Sequence, residues 1–108
     1  MNRIFHIAPL AEWTRAQDQG WYTADSLHSE GFIHCSEEHQ VVRVANQRFR
    51  GRKDLVLLHI DPARLDTEVR YENLEGGSEL FPHIYGPVPV SSVVLVTPFQ
   101  PGANGTFD

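Results

Sequence analysis

Residues 54–61 read DLVLLHID, six residues of almost unbroken apolar character held between two aspartates. The run is too short for a buried helix, and its apolar side chains fall on both faces of an extended chain. That pattern belongs to a central strand covered on each side. Working outward toward the C-terminus, Pro62 and Ala63 turn the chain, and DTEVRYE (66–72) alternates as an edge or half-exposed strand does. ENLEGGSE (72–79) reads as a polar loop, LFPHIYG (80–86) as a strand whose Pro82 points to an edge or a bulge, and VVLVTPF (93–99) as a last strand. The remaining tail, 99–108, shows no periodicity and is expected to be mobile.

Toward the N-terminus, Gly51 stops a helix that Ser36 caps and that runs to about Arg50. Glu37 and Glu38 lie in its positive first turn, and Val41, Ala45 and Phe49 form its buried stripe, with Val42 beside them. Before it stand the strand GFIHCS (31–36) and a polar stretch, WYTADSLHSE (21–30), with a turn of helix near Ser26. Pro9 suits the first turn of an earlier helix carrying Leu10, Trp13 and Ala16, with Gly20 as its stop. RIFHIA (3–8) is the first strand. The order β-α-β-α-β-β-β-β, helices early and strands late, predicts an α+β fold rather than a doubly wound sheet, with a mostly antiparallel sheet of about six strands and two or three helices. All of it fits one domain over 1–108, with its core in 3–98.

Composition narrows the function classes. The chain has 108 residues, a formal charge of −5, 41% apolar and 21% charged residues. The acidic balance argues against a nucleic-acid partner, and no segment has the length or apolar character of a membrane span or signal sequence. A single cysteine, Cys35, excludes an internal disulfide and fits a reducing, cytoplasmic setting. No P-loop, GxGxxG or GxSxG pattern is present. Cys35 precedes a helix start, which favours a reactive thiol, but it shares its strand face with Ile33, which favours a buried small hydrophobe.

Six histidines are many for this length. Alternation puts His34 on one face with Phe32, His83 on one face with Phe81 and Tyr85, and His6 with Ile4. Each could be an ordinary hydrogen-bonded strand-end histidine. Three strands each presenting one imidazole fit a shared cleft better, because burying polar rings repeatedly gains nothing in packing. His28, His34 and His39 offer an alternative metal-dependent site, but no established ligand spacing occurs and Cys35 points away from His34. Trp21, Tyr22 and Tyr85 stand beside loops or strand ends, as packing residues or as a stacking wall for a planar ring. Arg48, Arg50, Arg52 and Lys53 complement a helix C-terminus; Arg48 is the candidate for meeting a phosphate.

HIA (6–8), Trp13, GFIHCS, Gln40, LVLLHID and FPHIYGPVP together resemble the small bacterial family called domain of unknown function 952. That family is similar to the ADP-ribosyltransferase superfamily in its split α+β sheet. The resemblance implies that His6 matches a first-strand position holding the NAD ribose, that His34 with Ser36 falls on the second motif, and that His83 with Tyr85 falls near the third. No glutamate stands at that third position, which argues against protein ADP-ribosylation and leaves RNA-phosphate chemistry, small-molecule transfer or nucleotide binding open. His34, His83 and His6 are therefore the expected catalytic residues. Ser36, Tyr85, Trp21, Gln40 and Arg48 are the expected ligand contacts. NAD enters as a substrate and no cofactor is expected to be held tightly. A non-catalytic small-ligand module and a metal enzyme are the alternatives.

Overall fold

The computed structural model describes residues 3–74 and 76–108. The chain runs β1 (Ile4–Pro9), α1 (Leu10–Gln19), β2 (Trp21–Tyr22), α2 (Asp25–Ser29), β3 (Ile33–His34), α3 (Val41–Arg48), β4 (Leu55–Ile60), β5 (Val69–Glu72), β6 (Phe81–Ile84), β7 (Val88–Pro89) and β8 (Val93–Pro98). This is α+β, as the order of elements predicts. Among the described residues eight strands replace the expected six, the two added being β2 and β7, two residues each, which pair with one another.

β4 is central, as its composition requires. It lies between β1 and β8, antiparallel to both. On one face Ile4, Ala8, Val56, Leu58 and Ile60 pack with Trp13 and Ala16 of α1 and with Ile33, Cys35, Ile84 and Val88. On the other, Phe5, Ile7 and Leu55 pack with Val41 and Ala45 of α3. Each large side chain fully buried in this way stabilises the fold by about 1.5–3 kcal/mol. The second sheet has the order β3-β6-β5. One antiparallel bridge joins it to the first: Phe5 and Ser36 exchange backbone hydrogen bonds of 2.8 and 2.7 Å. That junction holds the two sheets side by side with a split between them.

α1 begins and ends where its sequence directs. Pro9 occupies the N-cap in extended geometry, and Gly20 closes the helix in the left-handed conformation with φ 88°. Leu10, expected on the buried stripe with Trp13 and Ala16, is exposed, while those two are buried.

Three expectations are corrected. Ser36 does not cap the helix, because its backbone is taken by the bridge to Phe5; the cap is Glu37, in a reciprocal capping box with Gln40 that opens a turn of 3₁₀ helix over Glu38–Gln40. The helix stops at Arg48 rather than Arg50. Pro82 lies in β6, the middle strand of its sheet, not at an edge. Its missing N–H costs little there. Toward β5 it faces Tyr71, at a position whose neighbours make the ladder bonds, and toward β3 only its carbonyl is used, accepting from Cys35 N at 3.0 Å.

The tail differs most from expectation. Phe107 is buried in the α3-side cluster and stacks on Phe99, with ring centroids 4.8 Å apart. Asn46 clamps its backbone from both sides, accepting from Phe107 N at 2.7 Å and donating to Phe107 O at 3.0 Å. A segment without periodicity is docked by one aromatic anchor and one amide. Gly86, which ends FPHIYG, has no left-handed φ; it is required by space, since a Cβ there would stand 2.3 Å from Thr67 Cγ2.

Candidate functional site

A cleft of about 270 Å³ opens along the split between the sheets. β1, the segment 32–36, α3, β6 and residues 72–74 all contribute to its lining. Its position follows from the local sequence. In GFIHCS, alternation sends Ile33 and Cys35 into the core, leaving Phe32 and His34 on the other face. β6 repeats this: Ile84 is fully buried in the core while Phe81 and His83 line the cleft.

The pairing register then brings the two motifs together. His34 stands directly opposite His83. Because the Cys35–Pro82 position carries the ladder hydrogen bond, His34 and His83 form a non-hydrogen-bonded pair, the closer of the two kinds. Their ring centroids are 5.4 Å apart in an edge-on arrangement. Phe32 fills the corner, stacked on His83 at 4.3 Å and edge-on to His34 at 4.9 Å.

Each imidazole has a carboxylate behind it. His34 Nε2 donates to Glu30 Oε2 at 2.8 Å. His83 Nδ1 donates to Glu72 Oε1 at 3.0 Å, and Tyr85 OH donates to the same oxygen at 2.5 Å. The hydrogen bond from Tyr85, and then that from His83, holds the Glu72 carboxyl below the usual range, so it is ionised at neutral pH; the same bond pushes the Tyr85 phenol up. Arg70 lies over the Tyr85 ring, 4.5 Å from its centroid, and pairs with Glu68. The two dyads differ in exposure: the His83 side chain is 5% exposed, whereas His34 is 36% exposed.

His6 has a different part from the one expected. Its Nδ1 lies 2.6 Å from the His34 carbonyl oxygen, which can only accept, so Nδ1 carries the proton. Nε2 then accepts from Tyr22 OH at 2.8 Å. Burial drives the imidazole pKa down to about 4. His6 borders the cleft as a neutral ring with both nitrogens committed, supporting the backbone of His34 rather than offering a free nitrogen to a ligand. Cys35 resolves similarly: burial pushes its thiol up, which removes the thiolate that nucleophilic chemistry requires.

Of the expected ligand contacts, Ser36 and Arg48 line the cleft, and Tyr85 stands behind it on Glu72 and 5.4 Å from the Phe32 ring. Trp21 and Gln40 are elsewhere. Trp21 borders a separate, smaller depression with Glu12, Arg15, Asp25 and His28. Gln40 is fully buried, accepting from Glu37 N and donating to Glu79 and Leu80 O, each at 2.9 Å. Those bonds tie the helix start to the chain entering β6. Among the described residues no three His, Cys, Asp or Glu side chains group as a metal-ligand set, so His28, His34 and His39 do not form one. Nor, among those residues, is any helix long and apolar enough to cross a membrane.

Sequence reasoning missed Glu30 and Glu72, and put Phe32 on the His34 face without giving it a part in the site. Glu30 had a visible signal, since it stands four residues before His34. Glu72 had none until register was known: it faces Phe81 across the β5–β6 ladder, two residues along from the pair made by Arg70 and His83 and so on the same face.

Residues 7–96 match the family described as protein of unknown function (DUF952). The crystal structure of protein CC0527 from Caulobacter crescentus is similar to this chain with a TM-score of 0.87 and 34% identity, covering 98% of this chain and 93% of that one. Its solution NMR structure gives a TM-score of 0.84 at 34% identity, covering 98% and 91%. No curated protein matches significantly. The chain belongs to the DUF952 family.

Proposed function

We propose that this DUF952 protein binds a nucleotide, NAD or a close relative, in the histidine-lined cleft and acts on it as an ADP-ribosyltransferase-like transferase. The observation that carries this reading is the facing pair His34 and His83, 5.4 Å apart and each backed by a carboxylate, beside an aromatic wall. Breaking the glycosidic bond of NAD passes through an oxocarbenium-like state. Such a state needs a positioned ring and nearby charge more than a strong nucleophile. Phe49 and Phe81 offer apolar surface to a planar base, Ser36 a hydroxyl, and Arg48 a cation toward phosphate. His34 and His83 are the groups that would move a proton.

The test is binding first. At a concentration about ten times Kd, a ligand specific to the native state adds ~1.4 kcal/mol, worth roughly 6 °C in a domain of this size. NAD, NADP or ADP-ribose at millimolar concentration should raise the melting temperature, and His34→Ala should abolish the shift. Absence of a shift with all three overturns the reading. Single-turnover release of nicotinamide separates a transferase from a module that only binds.

A further inference from the structure

Two carboxylate–imidazole pairs in one cleft are not equivalent. Glu72 is ionised and can only accept, so His83 Nδ1 must carry the proton in the neutral ring and Nε2 must carry the lone pair. Tyr85 fixes the same carboxylate oxygen with a second donor, Phe32 covers the ring face, and the side chain is almost wholly buried. The His83 ring is thus held in orientation and tautomer by Glu72, which Tyr85 in turn fixes, and is covered by Phe32 from a third segment. His34 differs. Its carboxylate partner Glu30 is itself half exposed, and the pair stands at the solvent edge of the cleft.

We infer that His83 Nε2 is the proton acceptor of the cleft, that Glu72 and Tyr85 are its positioning residues, and that the group attacking the bound nucleotide is a hydroxyl, water being the smallest. The transfer part of this rests on the nucleotide reading above; the hold on His83 does not. In the transfer step the acceptor O–H bond breaks as its oxygen bonds the anomeric carbon, and the proton goes to His83 Nε2. The carbon–nitrogen bond to nicotinamide breaks with its electron pair moving to the pyridinium nitrogen, so nicotinamide leaves neutral. The imidazolium formed faces the Glu72 carboxylate, which offsets its charge, and it returns its proton to solvent by way of the exposed edge where His34 stands.

Three measurements test this on the full chain. Long-range ¹H–¹⁵N correlation spectra of the ligand-free protein at pH 8.5 should show His83 as the Nδ1–H tautomer, and Glu72→Gln should move its two nitrogen frequencies toward the mixed average. Diethyl pyrocarbonate, which acylates an unprotonated imidazole nitrogen, should modify His83, and Glu72→Gln should slow that reaction on the order of tenfold, the scale on which an orienting partner acts. Tyr85→Phe, a milder change, should keep the tautomer. With NAD and a hydroxyl acceptor, Glu72→Gln should keep the ligand-induced melting shift but slow nicotinamide release on the order of 10²-fold. An Nε2–H tautomer in the unmodified protein, or a Glu72→Gln variant with unchanged tautomer and reactivity, overturns the inference even if NAD turns over. The expected tautomer and reactivity without NAD binding overturn the nucleotide reading and leave His83 as a base for another hydroxyl-bearing substrate.

Discussion

At the scale of single residues, His6 carries the clearest consequence. Its folded pKa of about 4 lies below the 6.5 of an unperturbed histidine because burial penalises the charged ring. Above pH 6.5 the ring is neutral in both folded and unfolded chains and its contribution is whole. As pH falls from 6.5 toward 4, the unfolded chain takes up the proton that the folded one refuses, so stability falls across that window. The shift corresponds to roughly 3 kcal/mol at the acid end. Urea unfolding at pH 8, 6.5 and 5 should show this decline. His6→Asn should flatten it while costing about 1–3 kcal/mol at pH 8, since the His34 carbonyl and Tyr22 hydroxyl lose their fitted partner. An undiminished slope in the variant would assign the acid sensitivity to other groups.

At the scale of elements, the start of α3 and the strand β6 are one unit, joined by a single buried amide. Gln40 completes the capping box with Glu37 and holds Glu79 and the Leu80 carbonyl, while Arg43, one turn later, pairs with Glu79. Gln40→Leu keeps the apolar bulk but leaves the Glu37 N–H and the Leu80 carbonyl unpaired, a loss of about 2–3 kcal/mol. Hydrogen exchange should then quicken in 37–41 and 79–82 together. Were Gln40 a ligand contact instead, the variant would keep its stability and lose only binding. This element also shows what one sequence can and cannot disclose. Alternation alone placed His34 and His83 on non-core faces, and the unbroken apolar run of β4 placed it centrally, because those patterns are periodic properties of single segments. The pairing of His34 with His83, the Glu72 behind it and the bridge that took Ser36 away from its helix are properties of register between segments whose paired residues stand 49, 11 and 31 positions apart. Nothing local in the chain records register.

At the scale of the molecule, the cluster on the α3 side of the sheet is completed by the last residues, and the cleft is built partly from the same side chains. Phe5 and Ile7 of β1 and Phe49 beyond α3 pack with Phe107 or its neighbours and also line the cleft. The tail is therefore a structural part of the wall. Phe107→Ala removes an almost fully buried aromatic and its stack with Phe99, a change of about 3–5 kcal/mol. A domain has only 5–15 kcal/mol in total. Asn46→Ala, which leaves the Phe107 N–H and carbonyl without their clamp, should lose about 1–3 kcal/mol by the same route. Neither loss should be uniform. Phe107 lies against α3 and the Phe5–Ile7 face of β1, whereas the β3–β6 pairing is anchored in the opposite cluster through Ile33 and Ile84. Hydrogen exchange in Phe107→Ala should accelerate first in 41–48 and around 105–108, with the amides of 33–35 and 82–84 keeping their protection until global unfolding. A mobile tail would predict no change in either region. If 33–35 loosened in step with 41–48, the two core clusters would form one cooperative unit, and the cleft between the sheets would open only when the whole domain does.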